Sequence, residues 1–243
     1  MIIKVISDLH INVKKLENDF LIESNKFIDY LNKICDEANI VIINGDLFEL
    51  WETTQWKRHA CHFRKIVNNN FEIVSALLKH ILTGKIIYIN GNHDEFIRLK
   101  NILPITNQYI LEHNGCRVLF EHGHMGDITN SKYSIIGKIQ TFISGFLERF
   151  IDKDIDLKLI EIGKKLSLNI NEDKVYEYAQ QLQKKHKANI VVFGHTHNKM
   201  IKSANNFIYV NTGKGCDRVN TLDETTIVIE QSEYRVTQNT IEL

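Results

Sequence analysis

Five times along this chain a short run of β-branched and apolar residues stops at a cluster of Asp, His, Asn and Gly. Ile2–Ile6 precedes Asp8-Leu9-His10, Ile40–Ile43 precedes Gly45-Asp46, and Ile86–Ile89 precedes Gly91-Asn92-His93-Asp94. Arg117–Phe120 precedes Glu121-His122-Gly123-His124, and Ile190–Phe193 precedes Gly194-His195-Thr196-His197. Runs of this length and composition read as buried strands. Between the first three lie segments with helical spacing: Phe27, Leu31, Ile34 and Ala38, then Phe63, Ile66, Val67, Phe71, Val74 and Leu78 within one helical stretch over 57–82. Strands alternating with helices predict an α/β fold with parallel members. In such sheets, active-site groups gather in the loops beyond the carboxyl ends of the strands, so all five polar blocks are expected on one rim.

Past Pro104 the pattern changes to a hairpin, Tyr109–Leu111 and Arg117–Phe120 around the turn Asn114-Gly115. From about 131 to 187 helical stripes dominate, such as Ile139, Phe142, Ile143, Phe146, Leu147 and Phe150, and this reads as a helical insertion beside the site. Phe207–Val210 and Thr225–Ile229 are further short strands, so the C-terminal third is expected to close a second, more antiparallel sheet. The whole, residues 1–243, reads as a single domain carrying that insertion at about 131–187.

Composition excludes several classes. Hydrophobic residues at 43% and charged residues at 25% are globular values, which removes disorder and fibrous repeats. Thirty Lys and Arg balance thirty Asp and Glu, so no global field favours nucleic acid or an anionic membrane. Cys35, Cys61, Cys116 and Cys216 form no CxxC pair and read as reduced core thiols rather than a zinc ribbon or disulfide scaffold. The first strand runs straight into the first block, leaving no room for a cleavable signal peptide. No apolar run approaches the ~20 residues of a spanning helix. The expectation is a cytoplasmic protein whose membrane contact, if it has one, is peripheral; the sequence carries no signal for oligomeric state.

The blocks offer a metal-binding donor set. Asp8 and His10 lie two apart where a strand bends into a loop, so both can turn toward one point. Asp46 adds a carboxylate whose two oxygens can bridge two cations, Asn92 an amide oxygen, and His122, His195 and His197 three imidazoles. Mixed nitrogen and oxygen donors suit Mn, Fe, Zn or Co better than Mg or Ca. Two divalent ions about 3.5 to 4 Å apart bind phosphoryl oxygens, lower the pKa of a bridging water and stabilise in-line displacement. His93, beside Asn92, is the candidate catalytic acid toward the leaving oxygen, with Glu49 or Asp94 orienting its ring. His124 reads as second to His122, in a supporting or structural place, and Thr212 belongs to a turn, Asn211-Thr212-Gly213, able to present backbone amides to phosphate. Taken singly, a DxH or a GD is more often a surface feature or a turn than a ligand. The ordered recurrence after five strands is what singles these residues out.

The five blocks resemble the signature of the calcineurin-like metallophosphoesterase superfamily: DxH, GDxx(D/E), GNH(D/E), a His-Gly block and GHxH, spanning residues 8–197. The resemblance implies a two-sheet αββα sandwich with metals at the strand ends. By analogy Asp8, His10, Asp46 and His197 hold one ion, while Asp46, Asn92, His122 and His195 hold the other, Mn being the leading candidate metal. It implies a two-metal hydrolase of phosphoester or pyrophosphate bonds in a small phosphorylated substrate, with a metal-bridging hydroxide as nucleophile. The run Gly45-Asp46-Leu47-Phe48-Glu49-Leu50-Trp51, with a helical insertion between the fourth and fifth blocks, is similar to UDP-2,3-diacylglucosamine pyrophosphohydrolases. Those enzymes use the insertion as a lid over acyl chains, which implies a nucleotide-linked lipid here. His93 departs from that subfamily, which carries arginine at this place. A repair-type nuclease shares the third block, but the balanced charge and the short stretch after residue 197 count against a nucleic-acid partner. A non-catalytic scaffold, as in the retromer subunit with a degraded site, is opposed by the presence of every ligand position.

Overall fold

The computed structural model describes residues 1–13, 22–50, 59–94, 103–127, 171–204, 207–215, 220–231 and 233–243. Most of the expected insertion, including its apolar stripe from Ile139 to Phe150, lies outside the described residues, as do Trp51, Cys216 and the side chain of Cys61.

The strands form two sheets. In the first, β1 (Ile2–Ile6), β2 (Ile40–Asn44), β3 (Ile86–Ile89) and β4 (Ile105–Thr106) run parallel. In the second, β5 (Gln108–His113) pairs antiparallel with β6 (Cys116–Glu121), which runs parallel to β7 (Ile190–Phe193) and, beyond it, β9 (Phe207–Asn211). At its far edge β8 (Met200–Ala204) pairs antiparallel with β9. The last hairpin, β10 (Thr221–Glu230) and β11 (Glu233–Glu242), returns to the first sheet, with β10 antiparallel to β1. The C-terminal third is thus shared between the sheets, and the centre of the second sheet is parallel.

Alternation along each strand sets the layers. On β1, Ile3 and Val5 are buried between the sheets, where they join Ile42, Ile89 and Ile227 against Val118, Phe120, Ile190, Val192 and Val210. The opposite face of the first sheet, through Ile6, Val41, Ile43 and Tyr88, packs on the helices α1 (Ser24–Glu37), α2 (His59–Asn69) and α3 (Phe71–Leu82). The outer face of the second sheet, through Leu119, Val191 and Phe193, takes α4 (Glu172–His186), whose Val175, Ala179 and Leu182 form its buried stripe. Four layers result, helix, sheet, sheet, helix, as the α/β sandwich expectation requires. Because α4 packs as an outer layer, the last part of the 131–187 stretch belongs to this scaffold.

The single helical stretch over 57–82 is two helices. Asn70 interrupts it with φ −125° and ψ 34°, its side-chain amide donating to the carbonyls of Asn12 and Ile66. That local bond competes with continuation of the helix. Cys35 and Cys116 are buried free thiols, as expected. Among the described residues no helix is long and apolar enough to cross a membrane.

Candidate active site

All five polar blocks leave the carboxyl ends of parallel strands: three after β1, β2 and β3, two after β6 and β7. Asp8, His10, Asn92 and Asp46 come from the first sheet, His122, His195 and His197 from the second, and the inter-sheet core fixes their separation. The donor atoms of Asp8, His10 and His197 lie within 4.8 Å of one another, as do those of Asp46, His122 and His195, and those of His10, Glu49 and His93. Apart from His197 and His93, these groups are buried.

The backbone is bent to achieve this. Asp8, His10, Asp46, His195 and His197 all have left-handed φ, between 46° and 69°. Such residues cost about 1–3 kcal/mol each when they are not glycine, and they concentrate at functional sites. The motif glycines allow the blocks to touch: a Cβ on Gly194 would lie 2.6 Å from Asp8 Oδ2, and one on Gly91 would lie 2.7 Å from Asp46 Cγ.

The ring of His122 carries the most information. Its Nδ1 is 2.9 Å from the Asn44 carbonyl, an acceptor only, so Nδ1 carries a proton. Its Nε2 then faces Asp46 Oδ2 at 3.1 Å, Asn92 Oδ1 at 3.2 Å and Asp8 Oδ1 at 3.9 Å. A neutral ring would aim a lone pair at three acceptor oxygens, which is repulsive unless a proton or a cation lies between. Without a cation the proton wins: burial opposes it, but Asp46 and Asp8 drive the His122 pKa up to about 10. The carboxylates respond in kind. Burial pushes Asp8 upward, yet His122 and His197 outweigh it and hold it down at about 2; burial likewise raises Asp46, but His122 and His93 hold it well below the usual carboxylate range.

A similar arrangement occurs at His10, whose Nδ1 meets Glu49 Oε2 at 3.2 Å and whose Nε2 faces His197 Nε2 at 3.4 Å. His197 Nε2 also lies 3.2 Å from Asp8 Oδ1. Converging imidazole nitrogens and carboxylate oxygens, with the His10 ring anchored through its far nitrogen by Glu49, are the donor chemistry of divalent transition metals. The residues fit such ions.

The expected supporting residues are also placed. Glu49 Oε2 lies 2.5 Å from His93 Nδ1, so Glu49 joins His93 to His10. Opposing its burial, the His93 and His10 rings keep Glu49 ionised. Asp94 does not orient His93: it accepts from Leu47 N, Gly91 N and Tyr88 Oη, bracing the turn, with burial and the charge of Asp46 pushing it up to about 6. The ring centroid of His124 is 5.5 Å from that of His122 and 6.3 Å from that of His195. Burial and those neighbours push its pKa down to about 3, so it is neutral, and its buried Nδ1 has no hydrogen-bond partner. Thr212 is bonded inward, to Ser7 Oγ at 2.5 Å and to the Phe193 carbonyl at 3.1 Å.

Two residues were not foreseen. Ser7 donates to Asp8 Oδ2, its place one step before the first block being the only sequence signal. Asp127, buried at 2% exposure, lies with Oδ2 3.3 Å from His195 Nε2; an acid just after the fourth block was its signal.

The chain is 26% identical over 210 residues to a UDP-2,3-diacylglucosamine hydrolase of Psychromonas ingrahamii, covering 79% of each chain. Among solved structures it aligns with a predicted phosphoesterase of Streptococcus pneumoniae at TM-score 0.48 and 14% identity, covering 98% of this chain and 88% of that one. It also aligns with a single mutant of Vps29 from Entamoeba histolytica at TM-score 0.49 and 14% identity, covering 100% and 99%. The family model for calcineurin-like phosphoesterases matches residues 1–199, which take in all five blocks, and the chain belongs to that family of metal-dependent phosphoester hydrolases.

Proposed function

We propose that the site binds two divalent cations and hydrolyses a phosphoester or pyrophosphate bond of a small phosphorylated substrate. Asp8, His10, Asp46 and His197 would hold one ion, and Asp46, Asn92, His122 and His195 the other. The observation that carries this is the His122 ring, its tautomer set by the Asn44 carbonyl and its Nε2 aimed at three acceptor oxygens. When bound, the cations supply positive charge that draws in phosphoryl oxygens and acidifies water. The mixed nitrogen and oxygen donors suit Mn, Fe, Zn or Co, and Mn is taken as the leading candidate.

The remaining work falls to the chain. Water adds to phosphorus as the bond to the leaving oxygen breaks, and that oxygen takes up a proton. His93 supplies the proton from Nε2, because Nδ1 is held by Glu49. Its backbone N–H donates to Asp46 Oδ1 at 2.8 Å, which ties the acid's position to the shared carboxylate. The His124 ring, beside both His122 and His195, would support those ligands or meet substrate.

A nucleotide-linked lipid cleaved at its pyrophosphate is the finer reading, supported by the Psychromonas relative and by the sequence of the Gly45–Trp51 segment. In it, the single domain 1–243 acts on the lipid through peripheral membrane contact, from the cytoplasm. The helical insertion expected at about 131–187, in the part that precedes α4 in sequence, covers an acyl chain; this part rests on the apolar stripe from Ile139 to Phe150 in the sequence. A turnover panel with Mn²⁺ tests both levels: UDP-linked diacyl sugars, dinucleotides, cyclic nucleotides, simple aryl phosphates and single-stranded DNA. Hydrolysis of the UDP-linked lipid above the others supports the finer reading, its absence discards that reading, and no turnover of any phosphoester discards the whole.

A further inference from the structure

The proposed second ion depends on the orientation of His195, whose ring lies edge-on to His122 and beside His124 with centroids 5.4 and 6.3 Å away, contacts that leave its tautomer open. Asp127 fixes it. Its Oδ2 lies 3.3 Å from His195 Nε2, and both side chains are buried, at 2% and 6% exposure. A carboxylate accepts only, so His195 Nε2 carries the proton and Nδ1 the lone pair. The opposite side of the residue is fixed as well: the His195 backbone N–H donates to both Asp8 oxygens at 3.2 Å, and its φ is 69°. With the backbone pinned and Nε2 bonded to Asp127, Nδ1 is the nitrogen whose lone pair can serve a cation beside Asp46 and His122, which group with His195 within 4.8 Å.

Asp127 is itself well placed for this. It closes the single 3₁₀ turn His124–Gly126, its backbone N–H donating to the His124 carbonyl at 3.2 Å. Gly126 packs closely on α4, since a Cβ there would lie 2.8 Å from that of Tyr178. The carboxylate is therefore braced by an outer helix. His122 is anchored by the Asn44 carbonyl and His10 by Glu49; Asp127 supplies the third such anchor, on a ligand from the second sheet.

We propose that Asp127 is a positioning residue for the second cation, setting the tautomer and direction of His195 without itself ligating. The proposal rests on the two-cation reading above. Removal of an outer carboxylate of this kind typically weakens metal binding about 10- to 100-fold. The test is Mn²⁺ titration calorimetry on chelator-treated full-length protein, comparing wild type, Asp127→Ala, Asp127→Asn and His195→Ala, with melting of each metal-free protein alongside. Expected are two sites in the wild type, one in His195→Ala, and two in Asp127→Ala with only one of them weakened by that factor. Asp127→Asn keeps an acceptor oxygen and should recover most of the lost affinity, with metal-free melting unchanged in both variants. Unaltered Mn²⁺ affinity in Asp127→Ala overturns the proposal. So does loss of a whole site in both Asp127 variants, which would make Asp127 a ligand, or equal weakening of both sites with lowered melting, which would make it structural. A wild type that binds fewer than two ions sinks the underlying two-cation reading instead.

Discussion

Adding one methyl group at Gly91 tests how tightly the second and third blocks are locked together. Gly91 has no left-handed φ, so alanine meets no backbone penalty there and the effect is purely steric. Its Cβ would overlap Asp46 Oδ1 and the Asp46 backbone nitrogen and would sit 2.7 Å from Asp46 Cγ. Carbon atoms prefer ~3.5–4.0 Å, so something must move by about 1 Å. The turn cannot swing away freely, because Gly91 N donates to Asp94 Oδ1 at 2.7 Å and Asp94 is bonded to Leu47 N and Tyr88 Oη. Asp46 must therefore yield, losing its 2.8 Å bond from His93 N and its 3.1 Å approach to His122 Nε2. Overpacking of this kind costs about 1–3 kcal/mol. At ~2–4 °C per kcal/mol for a chain of this size, the melting temperature should fall by roughly 2–12 °C. A misplacement of ~1 Å at reacting groups costs about 10²-fold in rate, so kcat/KM on a chromogenic phosphodiester with Mn²⁺ should drop by that much or more. Gly84→Ala is the control: its φ of 73° makes alanine strained, but nothing lies within 4 Å. It should cost about 1 kcal/mol with no change in rate. Activity in Gly91→Ala within about threefold of wild type would refute the claimed contact, since it would leave Asp46 where it is.

Asp46→Asn, nearly isosteric, should abolish phosphodiester hydrolysis while circular dichroism stays native; full activity would contradict a shared carboxylate. His93→Ala should slow turnover by about 10²–10⁴, the usual size of a general-acid effect, with metal content by elemental analysis unchanged. Loss of an ion in that variant would instead make His93 a ligand. In the metal-free protein His122 is raised to about 10 from 6.5, so its proton stabilises the fold fully below 6.5 and that contribution fades as pH climbs through 10. A bound cation requires the ring neutral at Nε2, so Mn²⁺ binding near pH 8 should release about one proton from this site, read by calorimetry in buffers of different ionisation enthalpy. Binding with no proton released would remove His122 from the ligand set.

The strands that carry the site were legible because each is a buried parallel strand, and such strands are near-continuous apolar runs. Ile40–Ile43 and Ile190–Phe193 could hardly be anything else. β8 and β11 were missed for the opposite reason. Their burial alternates or is largely absent, as in Glu233–Glu242, so composition there reads as polar loop until the partner strand is known. The break at Asn70 was hidden because the apolar spacing continues across it, while one of the two bonds its side-chain amide makes runs to Asn12, far away in sequence. In the site, residue types were readable and roles were not. Asp94 follows His93 directly, yet it points down to Tyr88 and Leu47, whereas Glu49, distant in sequence, holds the His93 ring. Which acid serves which imidazole is decided by backbone turns of left-handed φ, and no residue in those turns except glycine advertises that conformation.

Those turns do not hold the cluster together by themselves. Five candidate ligands sit in strained backbone, and Asp8, Asp46, His10, His122 and His195 are withdrawn from water. Neither feature is favourable locally. What holds them is the core on either side: Ile3, Val5 and Ile42 of one sheet interlock with Val118, Phe120 and Val192 of the other directly beneath the rim. The strand ends therefore cannot separate without opening that core. Protons meanwhile neutralise the mutual repulsion, with His122 charged between Asp8 and Asp46. A divalent ion bound there would take the place of that proton and meet a geometry the apolar core has fixed. Core packing and site chemistry are thus coupled through the same strands, so a cavity in the inter-sheet layer, such as Val192→Ala below His195, should loosen metal binding as well as the fold.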